Sequence, residues 1–301
     1  MKPMHALTVL MLAVVGTVSA GELPEGFKAG EGYVDILQKG KPLVRYMLAR
    51  DDSTPEAAHA TYKVYHHVVA PDGKSTLTKG PGGRFTHHRG IYIGWSKLKH
   101  DGKSHDTWHM KKSVQLHKKF IANEANDKQS RSVSLVHWVG DHGKVVVEET
   151  REVVVHHVDD AYLLLDFTST LAATNGDVEL RGDPEHAGFQ YRPLNEVAEN
   201  KSAKYTFHEE GVTAKGSKDL PWVANTHKIA GDTWTVQHMN HPSNPRGYVY
   251  SAYRDYGRFG SFFQQNISNG ESLTLKYRIR ITKGGADRAA LAEAYSTFLG
   301  K

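Results

Sequence analysis

The chain has 301 residues, of which 39% are hydrophobic and 24% are charged, and its formal net charge is +5. It contains no cysteine, which excludes disulfides, a thiolate nucleophile and any cysteine-ligated zinc or iron–sulfur site. Its basic residues are dispersed and it has no nucleic-acid-binding motif, so we expect no nucleic-acid partner.

The first twenty residues have the pattern of a signal peptide. Lys2 precedes an apolar run over residues 6–18, and Val18-Ser19-Ala20 supplies the small residues of a cleavage site. The apolar run is shorter than a membrane span, and no later run approaches the roughly 18 apolar residues that a span needs. We therefore expect a periplasmic or secreted protein that begins near Gly21 and has no membrane span.

Most of the remaining chain has the pattern of short β-strands separated by turns. Turn signals such as Pro71-Asp72-Gly73 and Asn269-Gly270-Glu271 favour antiparallel connections. The number of strands exceeds that of an immunoglobulin-type domain, so we predict an all-β fold: one domain over residues 21–301, built as a large antiparallel two-sheet sandwich. The predicted strands cover residues 33–37, 43–48, 62–69, 91–95, 114–121, 132–139, 145–158, 162–171, 178–181, 189–192, 205–208, 233–237, 248–253, 259–264 and 272–282.

Near the C-terminus the pattern changes from strand to helix. Hydrophobic and polar residues alternate over residues 272–282, which indicates a strand with one buried face. Residues 287–299 then place Leu291, Tyr295 and Phe298 on one stripe after the capping residue Asp287, so a short C-terminal helix is predicted. It is the one helix that the pattern predicts.

Five short segments mix imidazole, carboxylate, guanidinium, glycine and aromatic groups. Groups that titrate near neutral pH, set beside glycines, suit proton transfer or metal ligation. Polar groups that converge can satisfy one another and a ligand, so we expect the segments to meet on one face of the sheets. They are Thr86-His87-His88-Arg89-Gly90, His105-Asp106-Thr107-Trp108-His109, Asp183-Pro184-Glu185-His186-Ala187-Gly188, His238-Met239-Asn240-His241-Pro242 and Tyr256-Gly257-Arg258-Phe259-Gly260.

The first two segments contain closely spaced histidines. His87 and His88 would point to opposite faces of a strand, so one of the pair is expected in the site, and His88 is our catalytic candidate. Arg89 would bind a carboxylate or hydroxyls through its planar fork. His105 and His109 are four residues apart and are candidate ligands for a divalent metal such as zinc, although their surroundings indicate a loop rather than a helix.

The third segment is the strongest catalytic candidate. Glu185 and His186 precede small residues that leave space for a substrate. We predict His186, or else His88, as the general base, with Glu185 as the acid or as the group that orients the imidazole. The alternative is a structural carboxylate at Glu185, paired with Arg192 or Arg181.

The other candidate residues would bind substrate or complete the catalytic set. His241 lies in a proline-rich segment, which predicts a loop at the rim of a pocket, and is a further catalytic candidate. Guanidinium, amide and aromatic side chains would hold hydroxyls, a carboxylate or a sugar ring. These predicted substrate-binding residues are Arg89, Trp108, Gln190, Arg192, Arg246, Tyr256 and Arg258.

A charged pair inside a predicted strand has two open interpretations. Glu149 and Arg151 lie two residues apart and therefore face the same side of the strand over residues 145–158. If they point inward they need partners, which a ligand could supply. The alternative is an exposed ladder of salt bridges.

Several of these motifs resemble a known bacterial family. The His87–Gly90 and Glu185–Arg192 runs, His241-Pro242 with Arg246, and Tyr256–Gly260 resemble exported proteins often labelled methane oxygenase PmoA, over roughly residues 30 to 300. The resemblance implies a periplasmic or secreted protein, common in bacteria that degrade complex carbohydrates, with no assigned reaction. The monooxygenase subunit of that name is a membrane protein, so we do not expect its activity here. The strand layout and the run Asn269–Arg278 also resemble the super-sandwich of galactose mutarotases.

These observations favour an enzyme that acts on a carbohydrate or a sugar-derived compound by epimerisation, β-elimination or hydrolysis. Two alternatives remain open. One is a hydrolase or lyase that depends on zinc or another divalent metal, held by some of the histidines and Glu185. The other is a carbohydrate-binding module without catalytic activity, whose aromatic residues grip a glycan.

Overall fold

The computed structural model describes residues 23–301. The predicted signal peptide lies outside the described residues, so it stays a prediction. Across the described part of the chain, no helix is long and apolar enough to cross a membrane.

The first large sheet contains eight antiparallel strands. Their numbers follow chain order, and neighbours below are hydrogen-bonded in the sheet. The spatial order is β1 (Phe27–Gly30), β2 (Tyr33–Gln38), β3 (Lys41–Met47), β4 (Tyr65–Val68), β5 (Ile91–Trp95), β13 (Ala187–Tyr191), β18 (Phe259–Phe262) and β17 (Val249–Tyr250).

The second large sheet also has eight antiparallel strands, most of them longer. Its order is β14 (Lys204–Phe207), β15 (Trp222–Ile229), β16 (Asp232–Asn240), β20 (Ser272–Lys283), β11 (Leu163–Ala172), β10 (Val145–His156), β9 (Gln129–Val139) and β8 (Val114–Ala125). The prediction of a large antiparallel sandwich is confirmed.

Three smaller features were not predicted. A third sheet has the order β19 (Gln265–Ile267), β12 (Val178–Arg181), β6 (Lys97–His100) and β7 (Lys103–His105). Two short helices, α1 (Pro55–Ala60) and α2 (Glu196–Asn200), are too short to show helical periodicity in the sequence. The predicted C-terminal helix is confirmed as α3 (Arg288–Phe298), with Asp287 as its N-cap.

The main hydrophobic core lies between the two large sheets. Phe189 of β13 contacts Phe167 of β11 and Tyr277 of β20, with ring centroids 4.4 and 4.5 Å apart. Because side chains alternate along a strand, Gly188 and Gln190 face away from the second sheet. This outer face of the first sheet positions the candidate site.

The charged pair of β10 is part of this core, so both interpretations based on the sequence were wrong. Glu149 and Arg151 are 0% and 1% exposed and form a two-point ion pair, with N–O distances of 2.8 and 2.9 Å. Trp138 and Ser169 donate further hydrogen bonds to the Glu149 carboxylate. The two charges satisfy each other, and they need neither a ligand nor solvent.

Candidate functional site

Four of the five predicted segments meet on the outer face of the first sheet. Tyr92 of β5 lies opposite Gln190 of β13, and Gly260 of β18 lies on the other side of Gln190, so these three residues share that face. The loops around them bring in His88, Trp108 and Tyr256. The His88 ring lies 5.9 Å from the Trp108 ring and 6.0 Å from the Tyr256 ring, between centroids.

Two histidines of the site are each anchored by an aspartate three residues earlier. His109 Nδ1 lies 2.9 Å from Asp106 Oδ2, and His186 Nδ1 lies 2.8 Å from Asp183 Oδ1. The two imidazole rings are 5.1 Å apart. A carboxylate on Nδ1 favours the tautomer that donates from Nδ1, which leaves the Nε2 lone pair free. Neither Nε2 has a hydrogen-bond partner among residues 23–301.

The aspartates are held by the turns that they start. Asp106 Oδ1 accepts hydrogen bonds from the backbone N–H groups of Trp108 and His109, and Asp183 Oδ1 accepts one from that of Glu185. Such turns are typical of aspartate, whose short side chain reaches the backbone two or three residues on. The Asp-x-x-His spacing is therefore a local unit that occurs twice, once on each side of the site.

His87 and His88 do not point to opposite faces, as a strand would require. They precede β5 in a turn that the hydrogen bond from His88 N to Phe85 O closes, and their rings are 4.3 Å apart. His87 also lies 4.5 Å from His109, so His87, His109 and His186 form a row of imidazoles. Burial, followed by the charges of Lys63 and His109, lowers the pKa of His87 to about 2. Burial and the charge of Arg258 lower the pKa of His88 well below its usual value. Both rings are therefore neutral at physiological pH.

Five buried cations surround these imidazoles. None of them forms a salt bridge with a carboxylate in the described residues, which is unusual for buried charges. Burial and the charges of Arg89 and Arg192 lower the pKa of Lys79 to about 7, and burial lowers that of Arg192 to about 10. The five, each no more than 3% exposed, are Lys63, Lys79, Arg89, Arg192 and Arg258.

Several predicted substrate-binding residues are fixed by contacts within the protein. Arg258 Nη1 donates to Gln190 Oε1 at 2.8 Å and to Ser251 Oγ at 3.1 Å. Arg192 Nη2 donates to Asn195 Oδ1 at 3.1 Å, and Arg89 Nη2 donates to the carbonyl of His59 at 3.1 Å. Some of their polar atoms have no partner within residues 23–301, together with those of nearby rings. These buried atoms are Arg89 Nε and Nη1, Arg192 Nε, Arg258 Nε, His88 Nδ1, Tyr92 OH and Trp108 Nε1.

Glu185 is paired with a residue that the sequence did not suggest. Its carboxylate forms an ion pair with Arg254 and accepts a hydrogen bond of 2.9 Å from Tyr253 OH. Arg181 pairs with Glu179 instead. The carboxylate that contacts His186 is that of Asp183, so the proposed orienting role passes from Glu185 to Asp183.

The fourth predicted segment does not join the site. His238 is 0% exposed and lies in the core between the sheets, where its ring contacts Phe189 and Tyr250. His241 contacts Phe298 of α3 and Ser243. The fifth segment and Arg246 also part company, since Arg246 lies on the surface beside Asp219. The reason is that β16 belongs to the second sheet, so its end lies near α3 and not on the outer face of the first sheet.

The predicted metal pair is also separated. His105 ends β7 and accepts a hydrogen bond from the backbone N–H of Asp141 at 3.2 Å, near His100. His109 follows a tight turn and belongs to the row of imidazoles. Among the residues that the structure describes, no group of three or more histidines, aspartates and glutamates has the geometry to hold a metal ion.

The sequence reasoning missed Asp106, Asp183 and Lys63 as members of the site. The repeated Asp-x-x-His spacing was a signal for the two aspartates. Lys63 had no such signal, because its Nζ reaches the carbonyls of His87 (3.0 Å) and Trp108 (2.6 Å) only through the tertiary fold.

A protein-family model described as a family of unknown function, DUF6807, matches residues 33–296. No curated protein matches the sequence. Nothing in these comparisons shows the PmoA label that the motifs suggested.

Several solved structures resemble the chain over most of its length. Heparinase III has 10% identity and a TM-score of 0.39, and the match covers 88% of this chain and 38% of that one. A heparan sulfate lyase from Pedobacter heparinus has 12% identity and a TM-score of 0.40, covering 87% and 37%. An α-N-acetylgalactosaminidase from Bifidobacterium bifidum has 11% identity and a TM-score of 0.40, covering 91% and 38%. The chain thus spans less than two fifths of each relative, and likeness at this level carries no argument about activity.

Proposed function

The chain belongs to the DUF6807 family of unknown function, and we propose from its own geometry that it is an enzyme of acid–base chemistry on a carbohydrate or sugar-derived compound. The observation that supports this proposal is the pair of facing Asp–His units. Their imidazoles are 5.1 Å apart, and each has its Nδ1 on a carboxylate and its Nε2 free. An imidazole anchored in this way takes a proton at Nε2, because the carboxylate holds the ring in place and stabilises the imidazolium that forms.

The surroundings of the two imidazoles favour a sugar-like ligand. Aromatic rings with a few fixed polar groups are typical of small-molecule sites. Phe85 is 38% exposed and lies 5.0 Å from the Tyr256 ring, so it offers an aromatic face beside the histidines. Hydroxyl groups would find donors at the guanidinium groups and imidazoles that line the site.

Histidine rather than carboxylate chemistry is favoured within this site. A glycosidase of the common type uses two carboxyl groups that flank the scissile bond. Here Asp106 and Asp183 are bound to imidazoles, and Glu185 is bound to Arg254 and Tyr253. The free acid–base groups are therefore His109 and His186.

The test is a substrate screen with neutral, acidic and keto-sugar glycans, followed by rates for variants. His109→Gln and His186→Gln should each lower turnover by about 10²–10⁴-fold, the usual contribution of a positioned acid or base. The matched control is His241→Gln, a histidine near α3, which should keep the rate of the wild type. All three should melt within a few degrees of the wild type.

Other outcomes would contradict the proposal. Full turnover in both His109→Gln and His186→Gln would remove the assigned roles. Loss of turnover in the wild type after chelation would favour a metal-dependent enzyme. Glycan binding with no turnover of any compound would favour a binding module.

A further inference from the structure

We infer that the substrate of this site carries a carboxylate, bound by Arg192 and Arg258, on the carbon from which an imidazole removes a proton. This inference rests on the proposed function and names its substrate class, a uronic acid or a similar sugar acid. The observation behind it is the excess of buried positive charge beside the two Asp–His units.

The charge balance of the site is incomplete without an anion. Five cations are buried there, whereas the three nearest carboxylates, those of Asp106, Asp183 and Glu185, have partners of their own. A buried cation without a counter-charge is costly, and its cost falls when an anion binds beside it. A neutral sugar would leave the imbalance in place.

Arg192 and Arg258 have the geometry that suits a carboxylate. Asn195 holds Arg192, while Gln190 and Ser251 hold Arg258, so both guanidiniums are fixed before a ligand arrives. Each keeps a buried Nε–H without a partner among residues 23–301. The planar guanidinium fork matches the two oxygens of a carboxylate, and groups fixed in advance lose little entropy on binding.

The two guanidiniums also lie next to the catalytic imidazoles. Arg192 lies over the Tyr256 ring and Arg258 over the Trp108 ring, at 4.9 and 5.6 Å from the centroids. The ring of His88 lies between these two aromatic rings and leads through His87 to His109. A sugar acid could therefore place its carboxylate at the arginines and its ring at the histidines.

Access to the arginines requires a change in one exposed segment. Phe85, within residues 81–85, lies against the rings of His88 and Tyr256 at 5.3 and 5.0 Å. Its φ of +55° is in the left-handed region, where a bulky side chain is strained. The acid would enter where Phe85 now lies, and the strain favours its displacement.

A carboxylate explains why imidazoles are present. A sugar C–H bond is a weak acid, but a carboxylate on the same carbon, neutralised by arginine, stabilises the carbanion as an enolate. A sulfate or phosphate ester gives no such enolate. The carbon beside the carboxylate is therefore the one that a histidine can deprotonate.

The spacing of the imidazoles favours β-elimination over epimerisation. Two-base epimerisation places the sugar between the bases, which requires rings about 7 Å apart, since each contact takes about 3.5 Å. At 5.1 Å, His109 and His186 face the same side of the sugar. One imidazole takes the C–H proton, the C–O bond on the next carbon breaks, a C=C bond forms, and the other imidazolium gives a proton to the departing oxygen. No oxidant is needed and no water is consumed.

Binding measurements test the carboxylate directly. We expect glucuronate and galacturonate to bind at least 10-fold more tightly than glucose and galactose, which lack only the carboxylate. The preference should persist in His109→Gln and His186→Gln, because those side chains do not bind the carboxylate. It should disappear in Arg192→Gln and Arg258→Gln and remain in the matched control Arg131→Gln, an arginine on β9 that pairs with glutamates.

Two measurements keep the test decisive if the arginine variants fold poorly. In the wild type, the affinity for glucuronate should fall with rising salt, whereas that for glucose should not. Polyuronides should give an unsaturated product that absorbs in the ultraviolet. Equal affinity for acidic and neutral sugars in the wild type would overturn the inference, as would an acid preference that survives in both arginine variants.

The two proposals fail separately. A clear carboxylate preference without turnover of any uronide would overturn the acid–base function and leave carboxylate recognition in place. Turnover of neutral sugars at the rate of acidic ones, lost in His186→Gln, would overturn the carboxylate inference and support the acid–base function.

Discussion

At the scale of single residues, the site depends on a four-residue unit that the chain uses twice. In each copy one aspartate caps a turn with its backbone hydrogen bonds and fixes the imidazole three residues later. The same carboxylate therefore sets the backbone and the tautomer of His109 or His186. Local sequence is enough to build each unit, but not to bring the two units together.

The anchoring role predicts the effect of Asp183→Asn. The amide keeps the acceptor for the Glu185 N–H but removes the negative charge that stabilises an imidazolium at His186. We expect turnover to fall by about 10²-fold, with the melting temperature nearly unchanged, because Asp183 is half exposed. Asp159→Asn, which removes a carboxylate from an exposed surface pair, is the control. Unchanged turnover in Asp183→Asn would show that His186 works without its aspartate.

At the scale of elements, β13 joins the core to the site. It is paired on both sides, with β5 and with β18, and all five of its residues are buried. Phe189 faces the second sheet, while Gln190 fixes Arg258 on the outer face. The approach of β18 needs Gly188, since a Cβ there would lie 1.9 Å from the carbonyl oxygen of Ser261.

Two glycine substitutions separate crowding from backbone strain. Gly188 and Gly40 both have positive φ, +87° and +77°, but nothing lies within 4 Å of a Cβ added at Gly40. Gly40→Ala should cost about 1–2 kcal/mol of unfolding free energy, from the left-handed backbone alone. Gly188→Ala should cost at least about 2 kcal/mol more, because two backbones must separate. Equal losses in denaturant unfolding would show that β18 moves freely away from β13.

At the scale of the whole molecule, many histidines are buried in neutral form. Burial lowers the pKa of His67 and His117 to about 4 and that of His227 and His238 to about 3. In the unfolded chain these groups titrate near 6.5, so below that pH the unfolded state binds more protons than the folded state. The protein should therefore lose stability as the pH falls from about 6.5 towards 4.

The variant His238→Gln isolates one contribution to this acid sensitivity. His238 should account for a loss of about 2 kcal/mol between pH 6.5 and 4.5, since one pKa unit corresponds to about 1.4 kcal/mol. We expect the unfolding free energy of His238→Gln to fall less steeply over that range, whatever its value at pH 7. His157→Gln, at the end of β10, should keep the slope of the wild type. The same slope in both variants would place the acid sensitivity elsewhere.

Most of the strands could be predicted from the sequence, because alternation and turn residues are local signals. The strand over residues 91–95 has the predicted bounds, and that over 272–282 differs by one residue. The strands β1, β6, β7, β15 and β19 were missed. Four of these have three or four residues, which is too short for a clear period. In β15 the polar residues Asn225 and His227 are buried, so the usual contrast between faces is absent.

The sequence by itself determined the all-β class, the antiparallel connections, the C-terminal helix and the residue types of a polar site, since these follow from local periodicity, turn chemistry and composition. Only the tertiary structure decided which of those residues meet. Sheet pairing puts β5, β13 and β18 side by side, although they are about 70 to 170 residues apart in the chain. The same pairing sends β16 to the other sheet, which separates His241 and Arg246 from the imidazoles. Convergence depends on strand order, and strand order is set by the burial of faces across the whole molecule, which no local pattern records.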